Sequence, residues 1–175
     1  VYGGEAFTVS PLTEDGNTII SLIPTLHPAL LPTYGSNTED GIDAAIDLIK
    51  NAGYQQADIL LLTDGVSRAA FRDISSQLNS RNVRLHILGL GTSEGAPIPM
   101  GNGGFVKDKS GSILLPKLDS SALRELADLG GGKFVTMSND DSDINHLLQA
   151  VASDFPETTA VSDLGNRAQR AYRLR

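Results

Sequence analysis

Apolar positions along the chain alternate between short continuous runs and stripes at helical spacing. Asp58–Thr63 (DILLLT) and Val83–Leu90 (VRLHILGL) are apolar on both faces, which predicts interior parallel strands covered by helices on each side. Glu5–Ser10 (EAFTVS) and Lys133–Met137 read as two further strands. Ile19, Leu22, Ile23 and Leu26 recur at helical spacing, and Pro24 within that stripe predicts a kink or an end. His27–Asn37 is a loop by its breakers Pro28, Pro32 and Gly35. Ser36 and Glu39 have capping-box spacing ahead of a helix whose Ile42, Ala45, Ile46 and Ile49 line one face, and Gly53 should stop it. Phe71, Ile74 and Leu78 mark another helix. Leu123, Leu126 and Ala127 mark a third, capped by Asp119 and ended by Gly130-Gly131-Gly132, and Ile144, Leu147, Leu148 and Val151 mark a last core helix. Residues 91–117 are a Gly/Pro-rich excursion in which Phe105–Lys107 and Ile113–Leu115 flank Lys109-Ser110-Gly111 as a hairpin.

Strands alternating with helices predict an α/β fold with a mostly parallel sheet and right-handed crossovers. In such sheets ligands gather at the carboxyl ends of the strands, near the switch point. Three places then matter: Asp64-Gly65, Gly91-Thr92-Ser93, and the loop 33–38. Beyond Pro156 the pattern fades into a linker-like tail over 156–175.

With 175 residues the chain suits one domain, expected over residues 1–155. Its net charge of −7 argues against nucleic-acid binding, which needs clustered positive charge. Without cysteine, thiolate catalysis and sulfur-ligated metals are excluded. No apolar run approaches a membrane span. The chain opens on Val1-Tyr2-Gly3 without Met or a signal sequence, and is expected to be part of a longer protein. Arg167, Arg170, Arg173 and Arg175 give the far end a basic character that suits either a solvated helix or a juxtamembrane segment.

Asp64, at the exposed end of an apolar strand, is placed to hold a hard cation such as Mg²⁺, or else to cap the turn that follows. Ser36 offers a neutral oxygen to a metal or, equally, caps its helix. Gly91-Thr92-Ser93-Glu94-Gly95 spells G-x-S-x-G and raises a serine hydrolase using Ser93, with Asp119 or Asp128 and His146 following in order. Pro97 and Pro99 oppose the helix which that elbow needs. Gly89-Leu90-Gly91 fails as a dinucleotide loop, and His27, His86 and His146 are too scattered to suggest a site.

The strand closing in Leu62-Thr63-Asp64-Gly65, after the helix-starting loop Gly35-Ser36-Asn37-Thr38, is similar to the von Willebrand factor type A (VWA) domain. Tyr2-Gly3-Gly4-Glu5-Ala6-Phe7, Ser10-Pro11-Leu12-Thr13, Gly89-Leu90-Gly91-Thr92 and Glu94-Gly95-Ala96-Pro97-Ile98-Pro99 sharpen this to the bacterial, aerotolerance-associated Bat (BatB-like) subgroup. Gly104-Phe105-Val106-Lys107-Asp108 and Leu123-Arg124-Glu125-Leu126-Ala127 extend the match. The resemblance implies a Rossmann-like domain with a metal-ion-dependent adhesion site (MIDAS), binding Mg²⁺ or Mn²⁺ and completed by a carboxylate from a protein partner. Asp64 matches its third-loop Asp, and Ser36 stands where its second-loop Thr is found.

The first-loop motif of that site, D-x-S-x-S, is expected to be missing. Asp73-Ile74-Ser75-Ser76-Gln77 and Asp140-Asp141-Ser142-Asp143-Ile144 both fail at the last position. The sheet is then expected to lack its first strand and helix, to bind metal weakly or not at all, and to expose edges through which chains pair. The family further implies tethering at the bacterial inner membrane, on the periplasmic side, by helices outside this chain. Other Bat proteins or a MoxR-type AAA+ ATPase would be partners, and the function would be non-enzymatic protein binding.

Overall fold

A computed structural model describes residues 1–101, 103–140 and 142–152. The tail expected over 156–175, with its arginines, lies outside the described residues. The chain divides into two compact units that meet at Met137/Ser138.

The first unit is built on a parallel sheet of β1 (Ala57–Thr63), β2 (Val83–Gly89) and β3 (Gly131–Thr136), paired in the order β1-β2-β3. This α/β, Rossmann-like arrangement agrees with the sequence reading. The strand order simply follows the chain, so the described sheet has no switch point, contrary to expectation. The helices in chain order are α1 (Gly16–Leu22), α2 (Thr38–Asn51), α3 (Phe71–Asn79) and α4 (Ser120–Leu129).

The core forms where the apolar stripes of α2, α3 and α4 meet one face of the sheet. Ile42 and Ile46 of α2, Ile74 and Leu78 of α3, and Leu123 and Leu126 of α4 close over Ile59, Leu61, Leu85 and Ile87. Each such side chain taken from water contributes roughly 1.5–3 kcal/mol. Backbones also approach closely: a Cβ on Gly132 would lie 2.1 Å from the Leu85 carbonyl oxygen, so only glycine fits there. Asp119 caps α4 by accepting the Ala122 N–H at 2.9 Å, as its spacing predicted.

Three expectations fail. No strand forms over Glu5–Ser10; the N-terminus folds back on itself instead, with Tyr2 bridging Ala6 and Phe7 N–H donating to the Val1 carbonyl at 2.8 Å. β1 is not interior. It pairs only with β2 among the described residues, and Leu60 and Leu62 on its second face are 48 % and 52 % exposed. α1 ends at Leu22 ahead of Pro24, as predicted, but the stripe is not core, since Ile19, Ile23 and Leu26 stay exposed. The hairpin read within the excursion 91–117 does form, as short bridges and not full strands: Lys107 pairs antiparallel with Ile113, Leu114 N–H donates to the Val106 carbonyl at 2.8 Å, and Pro99 bridges Phe105.

In the second unit, Asp143 opens α5 (Ser142–Ala152) by accepting the Ser138 N–H at 3.0 Å. Leu147 is buried, whereas Ile144 and Leu148 are exposed, so only part of the predicted stripe is core.

Candidate functional site

β1 delivers Asp64 at its carboxyl end, and α2, which precedes β1 and runs back against it, begins at that same end just after Ser36. The N-terminal segment ties these two loops together. Tyr2 Oη donates to Thr63 Oγ1 at 3.1 Å. Thr63 Oγ1 in turn donates to the Gly65 carbonyl at 2.8 Å and accepts the Gly65 N–H at 3.2 Å, fixing the turn on both sides of Asp64. One residue on from Tyr2, the Gly3 carbonyl accepts the Asn37 N–H at 2.7 Å, and Gly4 N–H donates to the Thr33 carbonyl at 3.0 Å. The contact is backbone against backbone. Gly35 has φ +150°, and a Cβ there would lie 3.0 Å from Gly4 Cα.

The capping roles read for Ser36 and Asp64 belong to neighbours. Asn37, held by Gly3, accepts the Asp40 N–H at 3.2 Å and caps α2, so the Ser36–Glu39 box does not form. Its fixed backbone aims the carboxamide at the first turn, and Asn caps as well as Ser. After β1 the cap is Ser67, which accepts the Ala69 N–H at 3.3 Å. Among the described residues, the exposed Ser36 hydroxyl and Asp64 carboxylate therefore have no hydrogen-bond partner. Next to Ser36, Thr38 is buried at 1 % exposure with Oγ1 unpartnered, a polar atom sunk in the core at some cost.

A hydroxyl and a carboxylate are the oxygen donors that a hard cation prefers. They fit in kind but fill few positions, because no group of three or more His, Cys, Asp or Glu side chains gathers among the described residues. One segment does spell D-x-S-x-S, contrary to the expectation above: Asp108-Lys109-Ser110-Gly111-Ser112. It forms a turn in the excursion, not a loop after a sheet strand. Asp108 Oδ1 is occupied by the Ser110 N–H at 2.8 Å, the Ser110 hydroxyl at 2.6 Å and the Ser112 N–H at 3.0 Å. The Ser110 hydroxyl first, then the Ser112 N–H, hold that carboxyl below its ordinary range.

Ser93 lies on an exposed turn after β2, closed by Gly95 N–H donating to the Thr92 carbonyl at 3.2 Å. No helix follows until α4, so the strand–turn–helix of a nucleophile elbow is not built, and Asp119 is engaged as a cap. Among the described residues Ser93 has no histidine or carboxylate hydrogen-bonded to it.

No protein-family model matches the chain, and no curated protein matches its sequence. Solved structures do. The conserved hypothetical protein BatB from Bacteroides thetaiotaomicron is 26 % identical at a TM-score of 0.75, over 87 % of this chain and 75 % of that one. The chain is Bat-like. An aerotolerance-related membrane protein from Bacteroides fragilis NCTC 9343, carrying multiple mutations to serines, is similar to the same degree: 25 % identity and a TM-score of 0.75, over 87 % and 76 % of the two chains. Among the described residues of this Bat-like chain, no helix is long and apolar enough to cross a membrane.

Proposed function

We propose that this Bat-like chain is a protein-interaction module of VWA type, not an enzyme, and that it binds its partner through a divalent cation held by Ser36 and Asp64. The reading rests on one observation: both side chains stand exposed, without a partner in the described structure, on two loops fastened to the same N-terminal strap. Mg²⁺ or Mn²⁺ when bound would supply a positive centre between Asp64 of this acidic chain and a carboxylate of the partner. Asp64 contributes charge, Ser36 a neutral oxygen, and a carboxylate of the partner takes an open position. On the periplasmic face of the inner membrane the partner is another Bat protein, whereas a MoxR-type ATPase fits only the face that has ATP. Two protein ligands bind Mg²⁺ weakly, because the ion gives up its waters reluctantly.

The melting temperature with and without millimolar Mg²⁺ or Mn²⁺ tests this, since a ligand of the folded state alone stabilises it by mass action. The expected result is a small rise that disappears in Asp64→Ala. A rise that survives in Asp64→Ala, or no rise in the wild-type chain, removes the cation from the proposal.

A further inference from the structure

Nothing in the sequence points to Tyr2 as a site residue, yet it is where the two loops meet. Its hydroxyl ends on Thr63, the residue before Asp64, and the carbonyl of the next residue, Gly3, ends on Asn37, the residue after Ser36. Its ring is seated on α2 where Gly41 leaves room: a Cβ on Gly41 would lie 3.1 Å from Tyr2 Cγ. The ring therefore cannot shift toward α2, and its hydroxyl is held toward the end of β1. Thr63 relays the contact, because the oxygen that accepts from Tyr2 also grips the Gly65 N–H and carbonyl on the far side of Asp64.

We infer that Tyr2 is a positioning residue, and that the Tyr2–Gly3 strap with its relay Thr63 sets the spacing between Ser36 and Asp64. The inference rests on the reading of those two residues as one site and deepens it. An exposed loop pair without the strap would sample many separations, and a site with only two protein ligands has no third to restore the right one. Preorganisation then governs affinity, as it does wherever ordering must otherwise take place on binding.

The variants are Tyr2→Phe, Thr63→Val and, as the conservative rescue, Thr63→Ser, each with two readouts. The first, in metal-free protein, is amide hydrogen exchange at Asn37 and Gly65. Tyr2→Phe is expected to speed exchange at both, although it removes a hydrogen bond only on the Thr63 side. Acceleration at Gly65 alone overturns the inference. The second is Mn²⁺ affinity, read from the paramagnetic resonance of the free ion. Tyr2→Phe and Thr63→Val are expected to weaken it about fivefold, the scale of one hydrogen bond, while Thr63→Ser keeps it. Unchanged affinity in Tyr2→Phe with both loops loosened also overturns the inference. If the wild-type chain binds no Mn²⁺, the cation reading fails, and the coupled exchange at Asn37 and Gly65 still decides whether the strap links the loops.

Discussion

The Lys133 N–H donates to His86 Nδ1 at 3.2 Å, at the point where the β2–β3 register slips between Leu85 and Ile87. A register slip takes a backbone donor away from its ladder partner, and here an imidazole stands in for the missing carbonyl. With Nδ1 accepting, the proton sits on Nε2, which donates to Asp58 Oδ1 at 3.2 Å on β1. Arg84 closes the group with two bonds to the same carboxylate, Nε to Oδ1 at 2.7 Å and Nη2 to Oδ2 at 3.0 Å. One ring, 3 % exposed, thus joins all three strands, which explains a histidine in the middle of an apolar strand.

Replacing that ring by a hydrocarbon should leave both neighbours short of a partner. His86→Leu is expected to cost about 1–3 kcal/mol, the penalty for an unsatisfied buried group. Urea unfolding measures it; a loss below about 0.5 kcal/mol would mean the ring merely fills space.

The two candidate caps of α2 separate cleanly by substitution. Asn37→Ala should cost about 1 kcal/mol, as loss of a helix cap does. Ser36→Ala should stay within about 0.5 kcal/mol, as at an exposed position without contacts. Equal losses at the two positions would restore the Ser36 cap.

Acid should unfold this chain through its serine-bonded aspartates. The Ser121 hydroxyl first, then the Ala122 N–H and the charge of Arg68, hold the Asp119 carboxyl below its ordinary range. The shift is downward, so its contribution to stability is complete above the ordinary carboxylate value and is lost as pH falls through the lowered one. Asp15, Asp108, Asp140 and Asp143 are lowered in the same sense by hydrogen bonds from neighbouring hydroxyl and N–H groups. The melting temperature should therefore drop mainly below about pH 4. Asp119→Asn should make that acid limb shallower, and an unchanged limb would remove Asp119 from it.

The unguarded edge of β1 makes a prediction of its own. On its outer face Asp58 is engaged by Arg84 and His86, and Leu60 and Leu62 present exposed apolar surface beside an edge that, among the described residues, has no partner strand. Light scattering after size exclusion should show concentration-dependent self-association that Leu62→Lys suppresses. A monomer at every concentration would show that the edge is protected.

Helices with clean apolar stripes were legible: Ile42, Ile46 and Ile49 place α2, and Ile74 with Leu78 places α3, because one buried face leaves its period in the sequence. β2 was legible for a different reason: buried on both faces, it reads as one continuous apolar run. β1 misled, since DILLLT states that both faces suit an apolar setting and not what lies beside them. At Ser36 and Asn37, two good caps stand side by side, and a contact with Gly3, distant in sequence, decides between them. Tyr2-Gly3 and Thr63 lie in segments that carry the family resemblance, but nothing local says that they touch, because they are far apart along the chain. Asp108–Ser112 shows the reverse case, a motif complete in letters whose carboxylate is already occupied by its own turn.

Because the sheet pairs each strand with the next one along the chain, its assembly has a built-in order. β1 and β2 are separated by a short 3₁₀ turn (Arg68–Ala70) and α3, while β3 must wait for the whole excursion 91–117 and α4 to be bridged. Closing a longer loop costs more entropy before any contact repays it, so the parallel β1–α3–β2 crossover unit is expected to form first and β3 to dock late. The excursion then acts as a brake on folding speed. Its tip could be shortened between Pro99 and Ile113 to release that brake while the native core stays as it is.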